Sequence, residues 1–220
     1  MPKKFQSILF WFDGAFTEPI ASLTLSALKP EITGADRIPF RQKLQSLHNE
    51  LAIGKIDANT YCRQAEKVTN INIPSDRLIQ QILDLAEINQ PFFDIYTQIA
   101  PEHAPKVVVD IPAEWFDQLV SRWKVTDVFP KERVIFTEQF DLKRMYPDIF
   151  YFIPQAAGRS IDECLMVDPR QMRAVASHKL GLASAAYVYP RRLKIDLALQ
   201  GIWKTSEDIF HPKAGARANL

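Results

Sequence analysis

The sequence predicts an α/β fold in which a doubly wound parallel sheet carries an inserted helical subdomain. Three observations support this prediction. A short apolar run, ILFWF, stops at Asp13 and Gly14, a long block with helical spacing follows it, and four further apolar runs alternate with helical stretches. Repeated strand and helix units of this kind are typical of a parallel sheet that helices cover on both faces.

Length and composition narrow the class of protein. The chain has 220 residues, which favours one core with an inserted subdomain over two independent domains. Its 27 Lys and Arg residues balance 26 Asp and Glu residues, so bulk charge gives no reason to expect nucleic acid or an acidic membrane as a partner. The composition leaves the partner, either a small molecule or a protein, and the oligomeric state open.

The cysteines and the N-terminus predict a cytoplasmic protein. Cys62 and Cys164 are far apart and form no CxxC pair, which suits buried thiols in a reducing compartment. The apolar run 8–12 is too short for a signal sequence or a membrane span, and no longer apolar segment follows. We therefore expect no membrane partner.

The first strand and the helical block have clear boundaries in the sequence. The strand is predicted over residues 5–12, which are apolar on both faces and end at Asp13. From residue 20 to about 89, leucine and isoleucine recur at spacings of three and four, as in an amphipathic helix. Gly54 and Asp57 mark a turn between helices, and Pro74 starts a helix that we expect to reach Ile88.

Four later strands are predicted at residues 107–109, 134–136, 165–167 and 185–189. The helix after the second strand opens with Pro112 and places Phe116, Leu119, Val120 and Trp123 on one face. The helix after the fourth strand carries Met172, Val175 and Ala176 and stops at Gly181. Because ligands bind at the carboxyl ends of parallel strands, we expect the strand-end acids Asp13, Asp110 and Asp168 to converge.

This arrangement of strand-end acids and helical insert resembles the haloacid dehalogenase-like hydrolase superfamily, in its branch with a helical cap. The resemblance covers nearly the whole chain. It implies a Rossmann-like core at residues 1–15 and 90–203, a helical cap at 16–89 and a C-terminal tail at 204–220. It also implies four motifs, most of which this chain has altered.

In the first motif, family members carry DxDG[TV], whereas this chain reads WFDGA. The resemblance therefore places Trp11 at the nucleophilic aspartate and Asp13 at the general acid/base. An indole has no carboxylate with which to attack a substrate. We interpret Trp11 as core filler in the volume of the family's phosphate and metal, the alternative being a stacking platform for a flat ligand. Asp13 either caps a turn or keeps an inherited acid/base position.

The other three motifs are altered in different ways. Asp110, in VVVDIP, falls where the family has a hydroxyl that binds the phosphoryl group, with Thr137 as a rival placement. Arg144 takes the position of the family's lysine in RMYPDIF, with Lys143 beside it. Asp168, in CLMVDPRQM, is retained at a metal-ligand position. We hypothesise that Asp110 pairs with Arg144 in place of the lost phosphate; two unrelated surface charges are the alternative.

These changes leave little of the family's metal site. Asp168 and the backbone carbonyl at Asp13 would remain, which is a poor set of ligands for magnesium. We therefore expect no cofactor, with Mg²⁺ possible if a hydrolase activity persists. The four histidines, at positions 48, 103, 178 and 211, show no metal-ligand spacing and are expected to be structural or on the surface.

Three hypotheses for function follow. The leading one is a pseudoenzyme of this superfamily that binds a small molecule under its cap or a protein partner. The second is a magnesium-dependent hydrolase of phosphate esters in which Asp13 or Asp110 has become the nucleophile. The third is a structural subunit whose interface includes C-terminal aromatic residues, with Trp203 and Phe210 as candidates.

Overall fold

The computed structural model describes residues 5–140, 142 and 147–203. Its five strands form one parallel sheet in the order β3-β2-β1-β4-β5, which confirms the predicted α/β class. The strands are β1 (Ser7–Trp11), β2 (Lys106–Val109), β3 (Val134–Phe136), β4 (Cys164–Asp168) and β5 (Ala183–Ala186). The last strand lies earlier than predicted. Pairing with β4 selects the small residues of 183–186, while Val188 and Tyr189 lie beyond the strand and are exposed.

Nine α-helices accompany the sheet in the described residues. They are α1 (Ile20–Leu28), α2 (Arg37–Ala52), α3 (Ala58–Thr69), α4 (Ser75–Leu85), α5 (Gln90–His103), α6 (Ala113–Arg122), α7 (Ile149–Ala156), α8 (Gln171–Lys179) and α9 (Pro190–Leu199). Helices α1 to α4 pack on one another between β1 and β2 and form the helical cap. Helix α4 ends at Leu85, three residues before the predicted end at Ile88. In the described part of the chain, no helix has the length and apolar character of a membrane span.

The central strand β1 is buried on both faces, which explains its unbroken apolar sequence. Successive side chains of a strand point to opposite faces. Ile8 and Phe10 therefore join the larger core under the cap and α5, while Leu9 and Trp11 join a second core beside α7. Each core contains residues from the neighbouring strands, so β1 is the element from which both are built.

The apolar residues of helix α8 predict that the side carrying Met172 and Val175 is buried. The structure buries a different side of the helix. Met172 is 81% exposed and Val175 is 46% exposed, whereas Arg173, Ala174 and Ser177 are buried. The helix thus turns a guanidinium group towards the sheet. The reason lies at the strand ends, where buried carboxylates need positive partners.

The turn after β1 depends on Gly14. Its φ of +82° is a left-handed conformation that residues with a Cβ adopt at a cost. A Cβ at this position would lie 3.3 Å from Cγ of Pro169 and 3.3 Å from Cγ of Pro19. The loops after β1 and β4 therefore meet tightly at this residue.

We expect Gly14→Ala to destabilise the protein more than Gly158→Ala does. Both glycines have positive φ, but a Cβ at Gly158 would meet nothing within 4 Å. Gly158→Ala should cost about 1–2 kcal/mol from backbone strain alone, and Gly14→Ala about 1–3 kcal/mol more from overpacking. Urea unfolding of both variants measures the difference. Equal losses would show that the contacts with Pro19 and Pro169 do not constrain the turn.

Candidate active site

Three adjacent strands bring buried aspartates together at the carboxyl edge of the sheet. Asp13 follows β1, Asp110 follows β2, and Asp168 ends β4. All three side chains are almost fully inaccessible to solvent. Buried carboxylates are costly unless hydrogen bonds and opposite charges compensate them, so their partners define what this site can do.

Trp11 fills the position between these acids. Its indole is fully buried, and Nε1 donates a hydrogen bond of 2.6 Å to Oδ2 of Asp110. The guanidinium carbon of Arg173 lies 4.1 Å from the centre of the indole ring, within cation–π range. Trp11 is thus part of the core, as interpreted from the sequence, and the flat group that stacks on it is a side chain of the same protein.

Asp13 uses both carboxylate oxygens in structural contacts. Oδ1 accepts a 2.6 Å hydrogen bond from the backbone amide of Ile20, the first residue of α1. Oδ2 accepts a 2.6 Å hydrogen bond from Nη2 of Arg170, whose side chain is 23% exposed. A carboxylate at the N-terminus of a helix is favoured by the unpaired amides and by the helix dipole. Asp13 therefore links the β1 turn to the cap and to the loop after β4.

Asp110 accepts hydrogen bonds from Trp11 through Oδ2 and from the backbone amide of Asp13 through Oδ1, the latter at 3.2 Å. Burial alone would raise the pKa of this carboxyl group. Interaction with His48 and with the guanidinium groups of Arg173 and Arg170 outweighs burial and lowers the pKa. Asp110 is therefore held as a carboxylate that accepts hydrogen bonds.

Asp168 is held by the loop and helix that follow it. Its Oδ1 accepts hydrogen bonds from the amide of Arg170 at 2.7 Å and from Nε of Arg173 at 3.0 Å. Burial is the largest influence on its pKa and raises it, with the two arginines opposing. Sequence analysis missed both arginines. The signal was present as RQMR, which follows the strand-end acid after one proline, where the first turn of a helix can fold back on the carboxylate.

His48 is a further site residue that sequence analysis did not find. It lies on α2 in the cap and is fully buried, with Nε2 at 3.5 Å from Oδ2 of Asp13 and 3.5 Å from Oδ2 of Asp110. Neither ring nitrogen has a hydrogen-bond partner among the described residues. Ligand atoms of Asp13, His48 and Asp110 all lie within 4.8 Å of one another. His48 reaches this site only because the cap packs on the sheet. The spacing of nearby residues in the sequence therefore does not predict its position.

Two predictions from the sequence concern other residues assigned to this site, namely Arg144 and Thr137. Arg144 and Lys143 lie outside the described residues, so the pairing of Arg144 with Asp110 stays a prediction. Thr137 follows β3, one strand further from β1, and its hydroxyl donates to the carbonyls of Ala52 and Val109. Asp110 directly follows the strand beside β1, and its assignment to the second motif stays a prediction.

The residues present do not fit the family's magnesium site. That site, as the resemblance implies it, needs a carboxylate at position 11, where the indole of Trp11 offers no oxygen. The remaining carboxylate, Asp168, already accepts hydrogen bonds from Arg170 and Arg173, and the Arg173 guanidinium occupies its vicinity. Magnesium prefers six oxygen ligands, which this arrangement does not supply.

Neither a protein-family model nor a curated protein sequence matches the chain. Solved structures do match it. A HAD family enzyme from Bacteroides thetaiotaomicron, in complex with magnesium and inorganic phosphate, superposes with a TM-score of 0.59 at 10% identity, over 83% of this chain and 93% of that one. L-2-haloacid dehalogenase from Xanthobacter autotrophicus, with chloropropionic acid covalently bound, superposes with a TM-score of 0.61 at 15% identity, over 91% of this chain and 85% of that one. These likenesses establish the fold.

We expect Trp11→Phe to destabilise the protein more than Trp123→Phe does. Both changes remove the same atoms and one indole donor, but Trp123 is only partly buried and donates to the neutral carbonyl of Ala86 at 3.1 Å. A hydrogen bond to a charged group contributes about 1.5–3 kcal/mol, against about 0.5–1.5 kcal/mol for a neutral pair. Urea unfolding at neutral pH measures both losses. A larger loss at Trp123 would show that the indole and Asp110 do not form the charge-assisted bond described above.

Proposed function

We propose that this chain, which has the haloacid dehalogenase-like fold, is a pseudoenzyme that acts by binding. The observation that carries the proposal is the buried contact between Trp11, Asp110 and Arg173. In an enzyme of this fold, the same volume is expected to admit a substrate group next to a free carboxylate. Here an indole takes that place and two side chains of the protein hold it there.

Neither remaining acid supports a replacement nucleophile. Both oxygens of Asp13 accept short hydrogen bonds, and Asp110 accepts one through each oxygen. Each acid is also almost fully buried. A nucleophile must reach its substrate, whereas these two buried carboxylates face other groups of the protein. These contacts favour a structural role for Asp13 and Asp110 over the alternative of a rebuilt hydrolase.

A cleft formed mainly by cap residues offers hydrogen-bond donors to a small anion. The cleft has a volume of about 440 Å³ and is lined by Pro19, Ser22, Arg41, Gln42, Gln45 and Arg170. Two guanidinium groups, two amides and a hydroxyl make its lining rich in hydrogen-bond donors, which suits a phosphate or carboxylate group. Arg170 connects the cleft with the buried site, since the same side chain is bound to Asp13.

Two further features bear on the proposal. Trp203 lies partly buried against the core, and Nζ of Lys194 is 4.8 Å from the centre of its ring, which favours a role within its own domain over an interface. Phe210 lies outside the described residues.

Cys62 and Cys164 are buried and unpaired, which supports the proposed cytoplasmic location.

Phosphate release from a broad panel of phosphate monoesters tests the loss of catalysis. We expect no magnesium-dependent release by the native protein above that of Asp13→Asn, because no free carboxylate faces a substrate volume. Both proteins should be assayed after their folding is verified by circular dichroism. Release that requires magnesium and disappears in Asp13→Asn would overturn the proposal and establish a hydrolase rebuilt around Trp11.

Titration with inorganic phosphate tests the cleft. We expect Arg41→Gln to weaken phosphate binding about tenfold, which corresponds to the loss of one charge-assisted hydrogen bond. Lys43→Gln is the matched control, because it removes the same charge from an exposed position of α2 outside the cleft. Isothermal titration calorimetry measures both affinities. Equal weakening in the two variants would indicate attraction by general charge, and no binding at all would rule out this cleft as an anion site.

A further inference from the structure

The buried triad of Asp13, His48 and Asp110 has the composition of a metal site. Its three side chains come from three separate elements, namely the turn after β1, helix α2 of the cap and the loop after β2. All three are almost fully buried. We propose that these residues bind a zinc ion, which joins the cap to the core. The family's magnesium site, as the resemblance implies it, uses position 11, the backbone carbonyl at Asp13 and Asp168, so a site formed by the side chains of Asp13, His48 and Asp110 is distinct from it.

The distances within the triad suit a metal better than a hydrogen bond. Nε2 of His48 is 3.5 Å from Oδ2 of each aspartate, which is longer than the usual 2.7–3.2 Å of an N–H···O bond. A proton shared with one carboxylate would draw that oxygen closer than the other. Zinc bonds of about 2.0–2.2 Å in tetrahedral geometry place ligand atoms about 3.3–3.6 Å apart. The two equal distances match that separation.

The unpartnered nitrogens of His48 lead to the same conclusion. Neither Nδ1 nor Nε2 has a hydrogen-bond partner among the described residues, although the imidazole is fully buried. A protonated imidazole would bury two N–H groups without close acceptors, and buried donors are costly to leave unpaired. A neutral imidazole would bury one N–H and one ring lone pair without partners, and a metal bound through Nε2 would use that lone pair.

The described residues around the triad carry a net negative charge, which favours a bound cation. Among the residues that the structure describes, the carboxylates of Asp13, Asp110 and Asp168 exceed the guanidinium groups of Arg170 and Arg173 by one formal charge. Arg170 donates to Oδ2 of Asp13, and Trp11 donates to Oδ2 of Asp110. Hydrogen bonds to ligating carboxylates are common around bound metals, where they orient the ligands. Nη1 of Arg173 is 3.9 Å from Oδ2 of Asp110, but its guanidinium is hydrogen-bonded to Asp168.

The ligand types indicate zinc rather than magnesium. Magnesium takes oxygen ligands in octahedral geometry, whereas imidazole together with carboxylates suits zinc in four-coordinate sites. Three protein ligands leave a fourth position for water. Because His48 belongs to the cap and both aspartates belong to the core, the ion would hold the two parts together and stabilise the folded chain. Zinc binding does not depend on the absence of catalysis, so this inference goes beyond the proposed function.

The test uses the full chain without a histidine tag, treated with a chelator and then titrated with Zn²⁺ by calorimetry and with Co²⁺ by visible absorption. We expect one ion per chain, the absorption bands of tetrahedral cobalt and a rise in melting temperature with Zn²⁺. His48→Gln should weaken zinc binding about a hundredfold or more, as the loss of a direct ligand exceeds the usual cost of losing a supporting residue. His178→Gln, at an exposed position of α8, is the matched control and should bind as the native protein does.

Nitrogen NMR of the histidine side chains of the native protein provides a test that needs no variant. Zinc should shift the His48 resonance to that of a metal-bound imidazole and leave His178 unchanged. Absence of zinc binding, or binding that His48→Gln leaves intact, would overturn the proposal. A His48 imidazolium that zinc does not perturb would also overturn it and identify the proton as the balancing cation. Phosphate release is measured separately, so failure of either proposal can be recognised on its own.

Discussion

The buried hydrogen bond between the indole of Trp11 and the carboxylate of Asp110 determines the arrangement of the strand ends. Trp11 ends the central strand, where its N–H has no access to water and must find an acceptor within the protein. Asp110 provides that acceptor from the adjacent strand. A buried carboxylate in turn requires donors and positive charge, which the amide of Asp13 and the guanidinium of Arg173 supply.

The requirement for positive charge explains the unusual orientation of α8. An amphipathic helix ordinarily buries its apolar side chains, yet α8 exposes Met172 and Val175 and buries Arg173. That guanidinium stacks on Trp11 and is hydrogen-bonded to Asp168. Exposing Met172 and Val175 sacrifices some hydrophobic burial, but it gives the buried carboxylates of Asp110 and Asp168 a nearby guanidinium group. At this site electrostatic compensation outweighs the burial of two apolar side chains.

The sequence predicted those features that depend on local pattern. The apolar sequence of β1 and the acids that end β1, β2 and β4 follow from strand periodicity and from the general geometry of parallel sheets, and the structure agrees with both. The cap helices were predicted from leucine and isoleucine residues that recur at spacings of three and four. His48 could not be found in this way, because its role depends on how α2 crosses the sheet edge. Arg173 was missed because the apolar residues of α8 indicated a different buried face, and the position of β5 was missed because its alanines carry little strand signal.

Trp11, Asp110 and Arg173 stabilise one another, so a change of any one of them affects the other two. Returning position 11 to aspartate would add a fourth carboxylate beside Asp13, Asp110 and Asp168 while removing both the donor to Asp110 and the ring under Arg173. The added charge would lie in a buried environment where the described residues already include more carboxylates than guanidinium groups. An aspartate at position 11 would therefore destabilise the strand ends, because Asp110 and Arg173 both contact the indole that it would replace.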